Sequence, residues 1–170
     1  MPFDFVHIVE KLEKSAPEFS KKISIKFLGL VSPFNAHLKL KMLQWTRFKV
    51  QVEMSCHRAV KNHIGGIHAG ALFTVGETCA GLLLVRNFKF ADYRPIMAKI
   101  SVEFLRQARS KVIATSEINE ILLREIQLGL NRGESQTVDM QTHIIDEEGQ
   151  VVSRVMTQWQ IKAWDQVRLK

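Results

Sequence analysis

Cysteine is nearly missing from this chain of 170 residues: Cys56 and Cys79 are the only two, too few for a disulfide framework. Free thiols and a reducing, cytoplasmic setting are therefore expected. Proline occurs four times and glycine nine, which excludes collagen-like and low-complexity classes. No linker-like stretch and no internal repeat divides the chain, so it reads as a single domain over 1–170 with a helical extension over 1–35. No charged-then-apolar leader opens it. The net charge is +7, yet the first 85 residues hold 11 Lys and Arg against 6 acids and the remainder 13 against 11. With the surplus this dispersed, and no basic run interleaved with aromatics, a nucleic-acid partner is not expected. Cys-x-x-Cys and His-x-x-x-His spacings are also absent, so no metal site is expected. No Gly-rich phosphate loop and no serine elbow occurs. What is present is ordinary for a globular domain, with 46% hydrophobic and 24% charged residues.

Apolar residues in the first thirty positions recur three and four apart. Phe5, Ile8, Val9 and Leu12, then Phe19, Ile23, Phe27 and Leu30, predict two short amphipathic helices from Asp4 onward, the second started by Pro17. The period then changes to two. Leu38–Met42 and Phe48–Met54 read as a hairpin with one wet face. The same alternation returns at Ile96, Ala98, Ile100, Val102 and Phe104, at Val112–Ile118, at Val138–Ile145 and at Val151–Ile161. Asn119 and Gly133 bracket a connecting helix, and Gly149 suits the positive φ of the last hairpin turn. Six strands result. Trp45, Trp159 and Trp164 are expected at strand edges or an interface.

One segment breaks the pattern. Over the seventeen residues Ala69–Val85 the only ionisable side chains are Glu77 and the thiol of Cys79. A helix apolar on every side is buried on most of its surface. As a membrane span it would be short of about 20 residues and would put Glu77 near the bilayer centre, so no membrane span is expected. A long helix wrapped by an antiparallel sheet, an α+β architecture, buries both elements. Cys79 reads as a small buried filler.

Glu77 therefore needs an explanation, because an ionised carboxylate in apolar surroundings loses several kcal/mol of hydration unless something compensates it. A structural acid, protonated or ion-paired, is the plain alternative. Upstream, Lys61-Asn62-His63-Ile64-Gly65-Gly66-Ile67-His68-Ala69-Gly70 opens directly into the helix. The amides of Ala69 and Gly70 are expected to be unsatisfied donors at the positive end of the helix dipole, which is what a developing oxyanion needs. Eight residues separate Ala69 from Glu77, about 12 Å along the axis. One chain does not bring both groups to one carbonyl, whereas two copies crossing at a two-fold axis do. Arg106 and Arg109 belong to a basic stretch from Arg86 to Lys111 that suits phosphates.

At these residues the sequence resembles the hotdog-fold thioesterase superfamily, in the branch related to phenylacetyl-CoA thioesterases. The match is Asn62, Gly65-Gly66, His68-Ala69-Gly70 and Glu77, with Ala69 where the family commonly has Gly. The resemblance spans about Leu38 to Trp164. It implies a hotdog fold, a long central helix wrapped by a six-stranded antiparallel sheet with added N-terminal helices. It also implies hydrolysis of acyl-CoA or acyl-carrier-protein thioesters, with coenzyme A as part of the substrate and no separate cofactor, in a homodimer or a tetramer built from it. Glu77 would be general base or nucleophile, the Ala69 amide the oxyanion donor, and Asn62 the group that orients water or carbonyl. His68 fits the helix start. His63, Gly66, Gly70, Thr78, Arg106 and Arg109 would contact substrate. Two alternatives stay open: a hotdog acyl-thioester dehydratase or hydratase pairing His63 with Glu77, and a non-catalytic acyl-CoA or lipid-binding domain.

Overall fold

The computed structural model describes residues 5–167, apart from the side chains of Phe5, Phe27 and Val31. Asp4 lies outside the described residues. Two helices, α1 (Phe5–Ser15) and α2 (Pro17–Val31), precede strands β1 (Lys41–Trp45) and β2 (Lys49–Met54). The central helix α3 (Ala69–Asn87) follows, then β3 (Tyr93–Phe104), β4 (Val112–Glu117), helix α4 (Glu120–Asn131), β5 (Gln136–Ile145) and β6 (Val151–Ala163). The strands form one antiparallel sheet in the order β1-β2-β4-β5-β6-β3. It wraps α3, as expected of a hotdog domain.

The helix and sheet fit closely because the sequence leaves out side chains where they meet. At Gly76 a Cβ would occupy the space of the Val155 side chain on β6. Below it, Thr142 donates to the Gly76 carbonyl at 3.2 Å and shares a 2.6 Å hydrogen bond with Ser116, so these buried hydroxyls are satisfied. Val75, Cys79, Leu83 and Leu84 are fully buried against the sheet. Between the exposed first two residues of α3 and its last two, the less buried residues, namely Phe73, Glu77, Gly81 and Val85, recur every fourth position and form a single stripe.

Three details differ from the periodicity reading. Leu38 ends a 3-10 helix (Pro33–Leu38) rather than starting a strand. Lys39 then turns the chain at φ 50°, and β1 begins at Lys41. Leu38 and Leu40 are both buried, which imitates strand alternation. In β3, a bulge between Met97 and Lys99 inserts Ala98, so Ile96 lies on the opposite face from Ile100 and Val102. On α2, Phe19 and Leu30 are exposed, and among the described side chains the fully buried ones are those of Ser20 and Ser24. Their hydroxyls bond back to the carbonyls of Pro17 and Ser20, and the small side chains let the helix backbone lie close to the core. The helix starts agree with expectation: Pro17 opens α2, and Asn119 caps α4 by accepting from the Leu122 amide at 2.8 Å.

Candidate active site

The loop before α3 is held by Asn62. Its Oδ1 accepts from the amides of Ile64 and Gly66 at 3.1 and 3.0 Å, and its Nδ2 donates to the Ile67 carbonyl at 3.4 Å. The expected orientation of water or carbonyl by Asn62 thus competes with its hold on the loop, since its oxygen is fully engaged and only the second N–H of Nδ2 is left over. Gly66 is buried where a Cβ would press on Gln107 and the Ala108 carbonyl. The loop after β3 packs on this turn, with the Ile67 amide donating to the Ala108 carbonyl at 2.7 Å. That loop carries exposed Arg106 and Arg109, and Arg109 is steadied by Gln107 at 2.9 Å. Both arginines are thereby brought to the helix start. His63 is exposed on the same turn. Arg86, counted in the basic stretch, is instead buried at 6% exposure and paired with Glu13 at 2.6 Å.

His68 is the N-cap of α3, and its Nδ1 accepts from the Gly70 amide at 2.9 Å. Gly70 is therefore not the free donor expected of it. The amides of Ala71 and Leu72 both reach the His68 carbonyl. Of the first four amides of α3, the Ala69 N–H alone has no acceptor among the described residues, and Ala69 is exposed. A single backbone donor at the positive helix end thus faces out.

Two turns further on, Glu77 lines a cavity of about 310 Å³. No cation stands within ion-pair reach of it among the described residues. Burial raises its carboxyl pKa, and a hydrogen bond from Thr78 Oγ1 to Oε2 at 3.4 Å opposes that only in part. Buried Asn35 donates to the Thr78 hydroxyl at 3.1 Å, so an Asn35–Thr78 chain fixes one carboxylate oxygen. The other, Oε1, lies over Gly81, 3.9 Å from the place a Cβ would take. Sequence patterning gives no sign of Asn35, because its contact with Thr78 spans 43 positions and no local motif announces it. Of the tryptophans expected at strand edges or an interface, Trp45 ends the edge strand β1 and Trp159 lies on the inner strand β6, and both are buried and line this cavity; Trp164 is exposed.

The helix start opens on a different cavity, of about 430 Å³, lined by His68, Gly70, Phe73 and Thr74 together with Lys61 and His37. The two cavities share no lining residue. Ala69 lines neither cavity, and eight residues of continuous helix, about 12 Å, keep its amide apart from the Glu77 carboxylate within one protomer. Among the described residues no group of three or more His, Cys, Asp or Glu side chains is placed to hold a metal ion. Cys79 is enclosed, its thiol donating towards the carbonyls of Val50 and Ala114 at 3.4 Å and pushed up to about 11 by burial.

The model of a domain of unknown function, DUF4442, matches residues 20–161. The chain belongs to the DUF4442 family. The DUF4442 match begins inside α2 and contains the whole Asn62–Glu77 constellation. Comparison with curated proteins returned no match. Among solved structures, the DUF4442 chain is similar to a Pseudomonas aeruginosa protein of unknown function designated a probable thioesterase. Identity is 23% over 84% of this chain and 95% of the other, with a TM-score of 0.76. It is also similar to a thioesterase from Staphylococcus aureus, at 20% identity over 77% and 99% of the two chains and a TM-score of 0.65. A Haemophilus influenzae thioesterase gives 20% identity, 81% and 88% coverage and a TM-score of 0.64. At these identities the likeness shows the fold, which is the hotdog arrangement of thioesterase-like proteins.

Proposed function

We propose that this DUF4442 protein hydrolyses acyl-CoA thioesters at two equivalent sites, each completed across a two-fold dimer axis. The observation that carries the reading is the pair of unmatched groups on α3: one free amide at exposed Ala69, and one cation-free carboxylate at Glu77 with raised proton affinity in a cavity two turns further along the helix. The sheet supplies the axis. Its β1 edge is short and packs against α2, whereas the twelve-residue β3 edge is bare beyond β6 and half-exposes Ile100, Val102 and Phe104. A long uncovered edge strand is a template for pairing with another chain, and β3 meeting its own copy antiparallel is an isologous contact.

In this arrangement the Ala69 N–H of one protomer polarises the thioester carbonyl. The partner's Glu77 takes a proton from water as the oxygen attacks, and the tetrahedral oxyanion rests on the amide. Collapse breaks the C–S bond, and Glu77 returns the proton to the departing thiolate. The variant in which Glu77 attacks directly, forming an anhydride that water then cleaves, uses the same two groups. Asn62 is a positioning residue that holds the loop, and His68 caps the helix. Arg106 and Arg109 stand where coenzyme A phosphates would approach the helix start. No observation favours pairing His63 with Glu77.

The test is hydrolysis of an acyl-CoA panel by wild type, Glu77→Gln and Ala69→Pro. Proline is tolerated at the first helical position, and His68 at φ −65°, ψ 140° already has the backbone that precedes a proline. Ala69→Pro therefore removes little besides the free donor. Each variant is expected to fold and to lose about 10²-fold or more in kcat. Unchanged turnover in either, or wild-type protein that binds without turnover, overturns the reading.

A further inference from the structure

The cavity beside Glu77 has more wall than thioester cleavage requires, and that wall has a direction. Asn35, Thr78 and Glu77 form one hydrogen-bonded polar group. Ser24, spent on the Ser20 carbonyl, and Ser32 are the other hydroxyls, and Glu77 is the only charged residue of the lining. From there the lining follows α3 through Gly81 to Val85, eight residues beyond Glu77 and roughly 12 Å along the axis. Trp45 and Trp159 form apolar sides, and Leu28 of α2 lies across from them. The result is a mostly apolar slot with one carboxylate in its wall. Such a shape suits an unbranched alkyl chain whose reacting carbonyl stays beside Glu77, and has no charged partner for an ionic tail.

The volume sets a length. A dry protein cavity of about 150 Å³ holds a six-carbon ring, so the observed 310 Å³ has room for roughly twice as many carbons. Two residues control that room. Gly81 leaves a gap in which a Cβ would stand 3.2 Å from the Trp159 ring. Leu28 projects from a helix that Ser20 and Ser24 allow to lie close.

We infer that the slot between α2 and α3 takes medium-length, unbranched acyl chains of roughly eight to twelve carbons, with Leu28 and Gly81 setting the limit. The reaction at the head of this chain rests on the thioesterase reading; the slot itself is tested by binding.

Trp45 and Trp159 line the slot, so intrinsic tryptophan fluorescence reports occupancy whether or not hydrolysis follows. Glu77→Gln protein is titrated with acetyl-, decanoyl- and hexadecanoyl-CoA, and the wild-type turnover of each is measured alongside. Decanoyl-CoA is expected to bind at least about tenfold more tightly than acetyl-CoA, because apolar surface is buried with every added methylene, and more tightly than the sixteen-carbon ester. Gly81→Ala and, independently, Leu28→Phe are expected to cut the decanoyl-over-acetyl preference by about tenfold. Chain-length-selective binding sensitive to these substitutions, with no wild-type hydrolysis, supports the slot and overturns the thioesterase reading. Hydrolysis with equal binding of all three esters, or a preference unmoved by both substitutions, overturns the slot and leaves the thioesterase reading standing.

Discussion

Glu77 carries a folding penalty wherever it is ionised, because its charged form is desolvated by burial. Burial raises its carboxyl pKa, so the folded chain holds this proton more tightly than the unfolded one. The resulting stability is present below the unfolded-state pKa and is lost as pH rises through the raised folded-state value. Glu77→Gln stays neutral throughout. Thermal melts are therefore expected to show Glu77→Gln above wild type at pH 8, with the gap closing towards pH 4; a gap that is constant or widens on acidification contradicts this. Cys79 differs in kind, since its thiol, pushed up to about 11 and hydrogen-bonded in the core, forms almost no thiolate at neutral pH. Iodoacetamide at pH 8 is expected to modify half-exposed Cys56 in the folded protein and to reach Cys79 only after denaturation, as read by mass spectrometry.

At the scale of elements, the N-terminal helices are fastened to the domain through Arg86. Its guanidinium is 6% exposed, bonds Glu13 at 2.6 Å, lies 3.9 Å from Glu10 and stacks 5.5 Å from the Trp45 ring centroid. Glu13→Ala removes the nearer acid and leaves a buried cation short of a partner, which costs about 1–3 kcal/mol. A fall in Tm of roughly 2–10 °C is expected for a chain of this size. Adding Arg86→Met to Glu13→Ala removes the stranded charge and is expected to recover part of that loss. The same fastening seats α2, whose Leu28 walls the cavity at Glu77, so loss of the ion pair reaches the site through an element that holds no reacting group.

For the whole molecule, the proposed reaction needs the Ala69 amide and Glu77 at one carbonyl, which calls for a two-fold assembly. Glu77→Gln and Ala69→Pro proteins are each expected to be inactive alone. Unfolded, mixed and refolded together, half of the dimers are mixed, and each mixed dimer has one site with both intact groups, so about a quarter of wild-type activity returns. No recovery on mixing would place both groups of a site on one chain. Size-exclusion chromatography is expected to show a dimer that Ile100→Lys on β3 weakens.

The sequence by itself determined the elements and the odd residue among them. Period-two and period-four apolar patterns, Pro17, Asn119, Gly149 and the lone acid in an apolar helix are local signals, because backbone geometry repeats over two to four residues. They marked the core helix, the six strands and Glu77 as the residue to explain. Tertiary structure decided everything that depends on distant partners. It satisfied the Gly70 amide with His68 and left the Ala69 amide free, engaged Asn62 in its own loop, buried Arg86 against α1, and set Asn35 behind Thr78. It also turned α2 so that Ser20 and Ser24 are buried while Phe19 is exposed. None of these has an apolar period: the His68 and Asn62 bonds are local turns two to five residues long, while the Arg86 and Asn35 contacts join segments tens of residues apart, and side chains alike in sequence become unlike once their neighbours are chosen.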